Sequence, residues 1–399
     1  DVVLETIVKE IENSDFVSIM LDETADVKSR SQLSTVLRYV HKEEGCVKER
    51  FIGFTDVSAD RSADRLFVHV KDVVSNYNLQ HKFIAQTYDG AAVMSGHLSG
   101  LQRKVQEEYP KALFTHCYAH VLNLVLSQGM NEISECNIFF STLNGISTFS
   151  SHSSKRTFAI EEYLKKSVPS FSPTRWCFTS RLVNTVEKFR EPIIDFFNNI
   201  HENDDGKWKG SDSCAAYGFV QFLENFETVF LLNVFSPLFA RTDIIFNVLQ
   251  TEHVDIMTCL NVIRDFEQEL KGNRKGFIQC GECKNKLAKK TISEDDKCGM
   301  CETVGFTVVW EKTVSMVDVS SALRPRKRKR DDGTDSLSPE ERYRRLYYAI
   351  IDNLLNHITG RFSSLQKLQF FELLNPRKFK LFSETNNFPE NLLADLQRI

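Results

Sequence analysis

Residues 82–124 read KFIAQTYDGAAVMSGHLSGLQRKVQEEYPKALFTHCYAHVLNL, and their order decides the fold. Lys82–Asp89 is an apolar strand that ends in an acid at a glycine turn. A helix over about residues 95–109 stops at Pro110, Ala112–Tyr118 forms a second short strand that delivers Cys117 and His120, and a helix runs on through His120–Gln128. Polar groups at strand ends, followed at once by helices, are how α/β sheets build sites at their carboxyl edge. Upstream, Phe16-Val-Ser-Ile-Met-Leu-Asp22 is another buried-strand pattern that ends in an acid at a polar turn. If the two strands are parallel neighbours, Asp22 and Asp89 lie side by side, where like charges raise each other's pKa unless a divalent cation neutralises both. Paired carboxylates of this kind are the core of two-metal phosphoryl transfer, although a strand ending in Asp, taken alone, is more often a turn or helix cap.

Outward from these strands the order is consistent. Residues 1–14 read as an amphipathic helix with Val3, Ile7 and Ile11 at spacings of four. After Phe16–Asp22 come Gln32–His41 and Cys46–Asp56, joined by a Lys-Glu-Glu-Gly turn, so that three strands form a meander. From Ser62 the period turns helical, with Leu66, Phe67, Val70, Val73, Val74 and Tyr77 on one face. The resulting order, βββαβαβα, is that of an RNase H-like fold, whose mixed sheet sets the first strand beside the fourth. Beyond about residue 131 strand signals vanish, and helical stretches run over 155–166, 180–200, 214–234, 236–250 and 254–271. The expected class is therefore α/β: an RNase H-like mixed-sheet core with a large all-α insertion. The expected divisions are a core over 1–135, a helical insertion over 136–271, a four-cysteine zinc ribbon over 272–310, a basic disordered linker over 311–338, and helices again over 339–399 from a Ser338-Pro-Glu-Glu cap.

With 399 residues, 42% of them hydrophobic, the chain has ample material for two or three domains, and its 31 phenylalanines fall mostly in helical stretches, as a helical core requires. A formal charge of −4 excludes a uniformly basic nucleic-acid glove but leaves room for a local basic groove. No run of about 18 apolar residues and no signal-peptide pattern is found, so no membrane partner is expected. The ten cysteines are then expected as thiols or metal ligands. The first residue, already inside a helical pattern, points to a piece of a longer protein.

Cys280-Gly-Glu-Cys283 and Cys298-Gly-Met-Cys301 are two Cys-Gly-x-Cys knuckles separated by fourteen residues, each able to turn two thiolates toward one tetrahedral Zn²⁺; the alternative is free thiols in a loop. Cys117 and His120 are one helical turn apart. A zinc pair is conceivable there, but a buried thiol and a hydrogen-bonded histidine supporting the Asp89 strand is the simpler account. The run Arg324-Pro-Arg-Lys-Arg-Lys-Arg330 suits importin recognition or phosphate contacts, with a solvated linker as the plain alternative, and Arg342–Arg345 suits the exposed face of a helix.

The strings IMLDETADVKSRSQLSTVLRYV, VKERFIGF, TYDGAAVMSGHLSGLQ, PKALFTHCYAHVLNLVL and TRWCFTSRL, in this order from Phe16 to about Arg181, resemble the catalytic core of hAT-superfamily transposases. The likeness is greatest to vertebrate transposon-derived relatives of zinc-finger MYM-type or THAP-containing architecture. The resemblance implies that Asp22 and Asp89 are the first two acids of a DDE triad, holding Mg²⁺ or Mn²⁺, and that Cys117 and His120 form the Cys-x-x-His motif beside the second. It implies that Arg175 and Trp176 are the Arg-Trp pair opening the insertion, whose Trp stacks on a displaced DNA base. It further implies a nuclear, DNA-binding protein, a homo-oligomer formed through a region beyond this chain, and metal-assisted DNA cleavage and strand transfer. Three features depart from the family. Val93 stands where Asn is common, and Thr87 where Gly or Ser is usual. The third acid, a Glu following the insertion near a dimerisation region, has no clear counterpart before Ile399; Glu372, Glu384 and Glu390 are the late glutamates. A cleavage core incomplete in this chain, or a domesticated non-catalytic nuclear regulator using the fold as a scaffold, are the two readings that follow.

Overall fold

The structure is a computed structural model. It describes residues 2–25, 30–89, 92–96, 99–171, 176–202, 206–251, 254–280, 282–283, 286, 298, 300–323 and 337–362, with parts of 369–393. The chain divides into two compact units, residues 1–122 with 249–254, and residues 123–248 with 255–399.

In the first unit, helix α1 (Val2–Asn13) leads to strands β1 (Val17–Ala25), β2 (Ser31–Val40) and β3 (Val47–Asp56), helix α2 (Ala63–Asn76) and β4 (Phe83–Tyr88). Two short helices, α3 (Ala92–Ser95) and α4 (Leu101–Glu108), replace the single helix expected over 95–109. Strand β5 (Leu113–His116) and the first turn of helix α5 (Tyr118–Asn131), whose residues from Asn123 belong to the second unit, complete the order. The five strands form one mixed sheet, β3-β2-β1-β4-β5, with β1–β2 and β2–β3 antiparallel and β1–β4 and β4–β5 parallel. This is the α/β, RNase-like arrangement expected from the sequence. Alternation explains how the sheet packs: Leu33, Thr35, Leu37 and Tyr39 of β2 are buried while the residues between them are half-buried, and Val17, Ile19 and Leu21 of β1 fall on the same face by register. Leu66, Val70, Val73 and Val74 of α2 and Ile7 and Ile11 of α1 share that core. Ser62 caps α2, its hydroxyl accepting the Arg65 N–H at 3.4 Å. A polar clamp ties α1 to the sheet: Glu10 accepts from Arg50 at 3.1 Å and from the Tyr39 hydroxyl, with Lys48 3.6 Å away.

The second unit is helical: α6 (Ser134–Ser151), α7 (Ser154–Leu164), α8 (Trp176–Lys188), α9 (Arg190–Glu202), α10 (Gly210–Leu223), α11 (Phe226–Leu249), α12 (Ile256–Lys275), then helices Phe306–Met316 and Pro339–Arg361. Several sequence expectations fail here. The stretch 180–200 is two helices, α6 was not foreseen, and the break expected before Pro237 lies instead at Asn225, whose side chain accepts the Glu227 N–H at 2.8 Å and caps α11. Pro237 sits inside α11, a helix whose two halves are both buried, so packing overrides the lost hydrogen bond. By length and composition α11 could cross a membrane, against the expectation that no such run exists; 67% of its apolar window is buried in the protein, which accounts for its composition as a core helix. Ser338 forms the foreseen capping box with Glu341, and Pro339 opens the helix. Of the basic group on that helix, Arg342 pairs with Glu227 at 2.9 Å and Arg344 with Glu340 at 2.5 Å.

Candidate functional site: an acidic sheet edge and a cysteine cluster

The acids are positioned by strand register. In β1, Val17, Ile19 and Leu21 point into the core, so Ser18, Met20 and Asp22 occupy the opposite face. The parallel ladder to β4 pairs Ile19 with Gln86 and Met20 with Thr87. Two residues further along both strands, the same register sets Asp22 opposite Asp89, on the face that carries Met20 and Thr87. Strand β5 extends the pattern: Thr87 pairs with Thr115, their hydroxyl oxygens 2.8 Å apart, and the Cys117 N–H donates to the Tyr88 carbonyl at 3.1 Å. Asp89 and Cys117 directly follow β4 and β5 at their carboxyl ends, whereas Asp22, expected to end its strand, lies just past the end of the β1–β4 ladder while β1 runs on to Ala25 along β2. Asp22 is exposed, whereas Asp89, Cys117 and His120 are half-buried.

The electrostatics agree with this placement. Burial raises the Cys117 thiol pKa, and the negative charges of Asp22 and Asp89 both raise it further, which they do only within Coulombic reach of the sulfur. Backbone N–H groups of His120 and Ala119, in the first turn of α5, act in the opposite direction. Cys117 is therefore a neutral thiol at physiological pH, poorly suited to ligate zinc but suited to pack beneath the Asp89 strand end. Sequence reasoning missed Thr87 and Thr115 as partners within this face, although each lies two residues before a site residue, the period that puts strand residues on one side. It missed Ser34 too, whose hydroxyl donates to the Asp22 carbonyl at 2.9 Å from the antiparallel neighbour.

A fit test for a cation separates two locations. At the sheet edge the carboxylates form a pair, the minimum that could bridge a hard cation. Among the described residues, the group of three or more ligating side chains is Cys280, Cys283, Cys298 and Cys301, with all four sulfurs within 4.8 Å of one another. Cys280 and Cys298 are 3.6 Å apart, and Cys283 and Cys301 are 3.7 Å apart. A disulfide requires about 2.0 Å. Four sulfurs around zinc at about 2.3 Å lie about 3.8 Å from one another, so the cluster has the size of a tetrathiolate site. The knuckles follow β6 (Phe277–Ile278) and precede β7 (Glu302–Thr303), a two-residue antiparallel ladder.

Trp176 opens α8, but its side chain and all of Arg175 lie outside the described residues, as do Arg324–Arg330, Glu384 and the side chain of Glu372. Glu390 is described and exposed.

Residues 2–100, which contain both acids, match the family model "DUF4371: ZMYM1/FAM200, RNase-like domain". The chain is 18% identical over 263 residues to the "52 kDa repressor of the inhibitor of the protein kinase" of Homo sapiens, covering 63% of this chain and 34% of that protein. It is 23% identical over 146 residues to the Mus musculus protein of the same name, covering 36% of this chain and 19% of that one. The chain thus spans about a third or less of the length of these relatives. The match over residues 2–100 and the likeness to these two repressors make the chain similar to transposon-derived, hAT-like proteins with an RNase-like domain of the ZMYM1/FAM200 kind.

Proposed function

We propose that this chain is a nuclear, DNA-binding protein with a hAT-type core for metal-dependent DNA strand cleavage and transfer, of which it holds two acids, Asp22 and Asp89. The observation that supports this reading most directly is the β1–β4 register, which, continued two residues past Met20 and Thr87, carries the two carboxylates to one face of neighbouring strands. In this reading Asp22 and Asp89 would hold Mg²⁺ or Mn²⁺, which when bound would supply the activation of a water or a 3′-hydroxyl as nucleophile toward phosphorus. Asp22 is kept in place by the pairing of β1 with β2, and Asp89 by the Thr87–Thr115 hydrogen bond and the Cys117 N–H bond to Tyr88. Cys117 and His120 support the second acid, while Arg175 and Trp176 contact DNA by charge and by stacking on an unpaired base. The third acid is not identified in this chain, and the protein is read as self-associating. Arg324–Arg330 is read by importin. The four cysteines hold zinc.

The test uses the full-length protein, with Mn²⁺-dependent nicking of duplex DNA and DNA affinity measured side by side for the wild type, Asp22→Asn and Asp89→Asn. Nicking by the wild type, lost in both variants while DNA affinity stays within about twofold, is the expected result. DNA binding without nicking in all three proteins would favour the second reading, a domesticated regulator that uses the fold as a scaffold. That reading draws support from the word "repressor" in the name shared by the human and mouse relatives.

A further inference from the structure

Four thiolates complete a tetrahedron and leave no open position for water or substrate, so the cysteine cluster has no place in phosphoryl transfer. We infer that zinc at Cys280, Cys283, Cys298 and Cys301 is a structural splice that sets how the Phe306–Met316 helix enters the aromatic core of the second unit. This inference rests on the assignment of zinc to the cluster.

The case begins with what the intervening chain lacks. Between Lys275, where α12 ends, and Phe306, the buried apolar side chains among the described residues are Phe277 and Cys283. The β6–β7 ladder has two residues on each side, too few to hold a hairpin in water. Closing a loop of this length with so little burial loses more chain entropy than the contacts return. A tetrathiolate ion closes it from within, at the end of the ladder: Cys280 follows Ile278 by two residues and Cys301 directly precedes Glu302.

The far side of the ladder passes this geometry straight to the helices. Gly276 ends α12 in the left-handed region at φ 85°, and its carbonyl accepts the Val304 N–H at 3.1 Å. Gly305, at φ 79°, opens the next helix with the Asn273 carbonyl where a Cβ would sit. One residue later Phe306 stacks on Trp310 with centroids 5.8 Å apart, and Trp310 meets Phe226 of α11 at 5.4 Å. Further along, Thr313 accepts from Asn233 of α11 at 3.1 Å. The helix is therefore held along its face by α11 and at its entry by the ladder, and the ladder depends on the cluster.

The experiment uses the full chain, purified without added metal. Metal content is measured by plasma mass spectrometry, and hydrogen exchange is followed before chelation, after chelation and after zinc is restored. The expected result is one zinc per chain, with chelation speeding exchange at least about tenfold in Phe306–Met316 and the last turns of α12 and leaving β1–β3 unmoved. Restored zinc reverses the change. Cys298→Ser reproduces the chelated state, while Cys214→Ser, at an exposed cysteine outside the cluster, retains zinc and normal exchange. A chain without zinc, or one holding iron with its visible thiolate absorption, overturns the zinc assignment and the splice together. Stoichiometric zinc whose removal leaves exchange in Phe306–Met316 unchanged overturns the splice alone.

Discussion

At the scale of single residues, the acidic edge can be tested without any catalytic readout. Cys117 reports on both carboxylates, because burial and the charges of Asp22 and Asp89 together hold its thiol above the usual range. Removing either charge lowers that pKa and enlarges the thiolate fraction at a given pH. Asp22→Asn and Asp89→Asn should each speed alkylation of Cys117 by roughly two- to fivefold at pH 8, read by peptide mass spectrometry, with Cys214 as the internal standard. An unchanged rate in either variant would mean that the carboxylate concerned does not face the sulfur. Divalent cation gives a second check. Saturating Mn²⁺ should raise the thermal midpoint of the wild type, worth about 1–3 kcal/mol through ligation of the native state, and should leave both variants unmoved in a melting experiment. The acids themselves were legible in the sequence, since each closes an apolar run, although β1 continues past Asp22 to Ala25 because its outer residues stay paired with β2. Their mutual placement was not, because it depends on a register that only the ladder through Met20 and Thr87 supplies.

Elements are joined here by a few polar residues whose titration is predictable. Burial opposes the charge on Glu10, yet hydrogen bonds from Tyr39 and Arg50 outweigh it and hold the carboxyl below its ordinary range, while burial and Glu10 push the Tyr39 hydroxyl up to about 12. On α2, burial lowers the pKa of His69, which hydrogen-bonds Thr35 of β2 at 2.8 Å. Both folded values are depressed, so both groups stabilise the fold above their unfolded values and lose that contribution as pH falls. His69 acts below about pH 6.5 and Glu10 below about pH 4.3. Denaturant melts of Glu10→Gln should show a loss of about 2 kcal/mol at pH 7 that shrinks toward pH 3, because the wild type loses its own carboxylate there. Gly305→Ala should cost about 2–4 kcal/mol, since the new Cβ meets the Asn273 backbone at a positive φ; a thermal melt monitoring helix content would register it. Period-2 burial made the strands readable in order, as β2 illustrates. Helix α6 escaped notice although Cys136, Phe139, Phe140, Leu143 and Ile146 share one face, because its exposed side carries Ile138 and uncharged Asn137, Ser141 and Asn144, leaving little amphipathic contrast. Pro237 misled for a related reason, since local propensity marks a break where tertiary burial sustains the helix.

For the whole molecule, charge limits where the proposed DNA contacts can lie. A chain of formal charge −4 has no general attraction for phosphate, so affinity has to come from local contacts and has to weaken with salt in proportion to the phosphates neutralised. The basic run Arg324–Arg330 is dense enough to provide such contacts, but its proposed reader is importin, and the two roles differ in what they predict. Replacing its six arginines and lysines with glutamine should abolish nuclear accumulation of a fluorescent fusion while leaving thermal stability within about 0.5 kcal/mol. In the same variant, the slope of log affinity against log salt, taken by anisotropy between about 50 and 200 mM, should stay unchanged if the run makes no phosphate contact. Each phosphate that the run does neutralise would contribute about 0.9 to that slope for duplex DNA, so a flatter dependence would move the segment from transport to recognition. Because the acids of the sheet edge repel phosphate when no cation is bound, the variant retaining its full slope would also require cationic contacts elsewhere. Arg175 is the residue with which to continue, its replacement by Gln being expected to reduce the slope by about one.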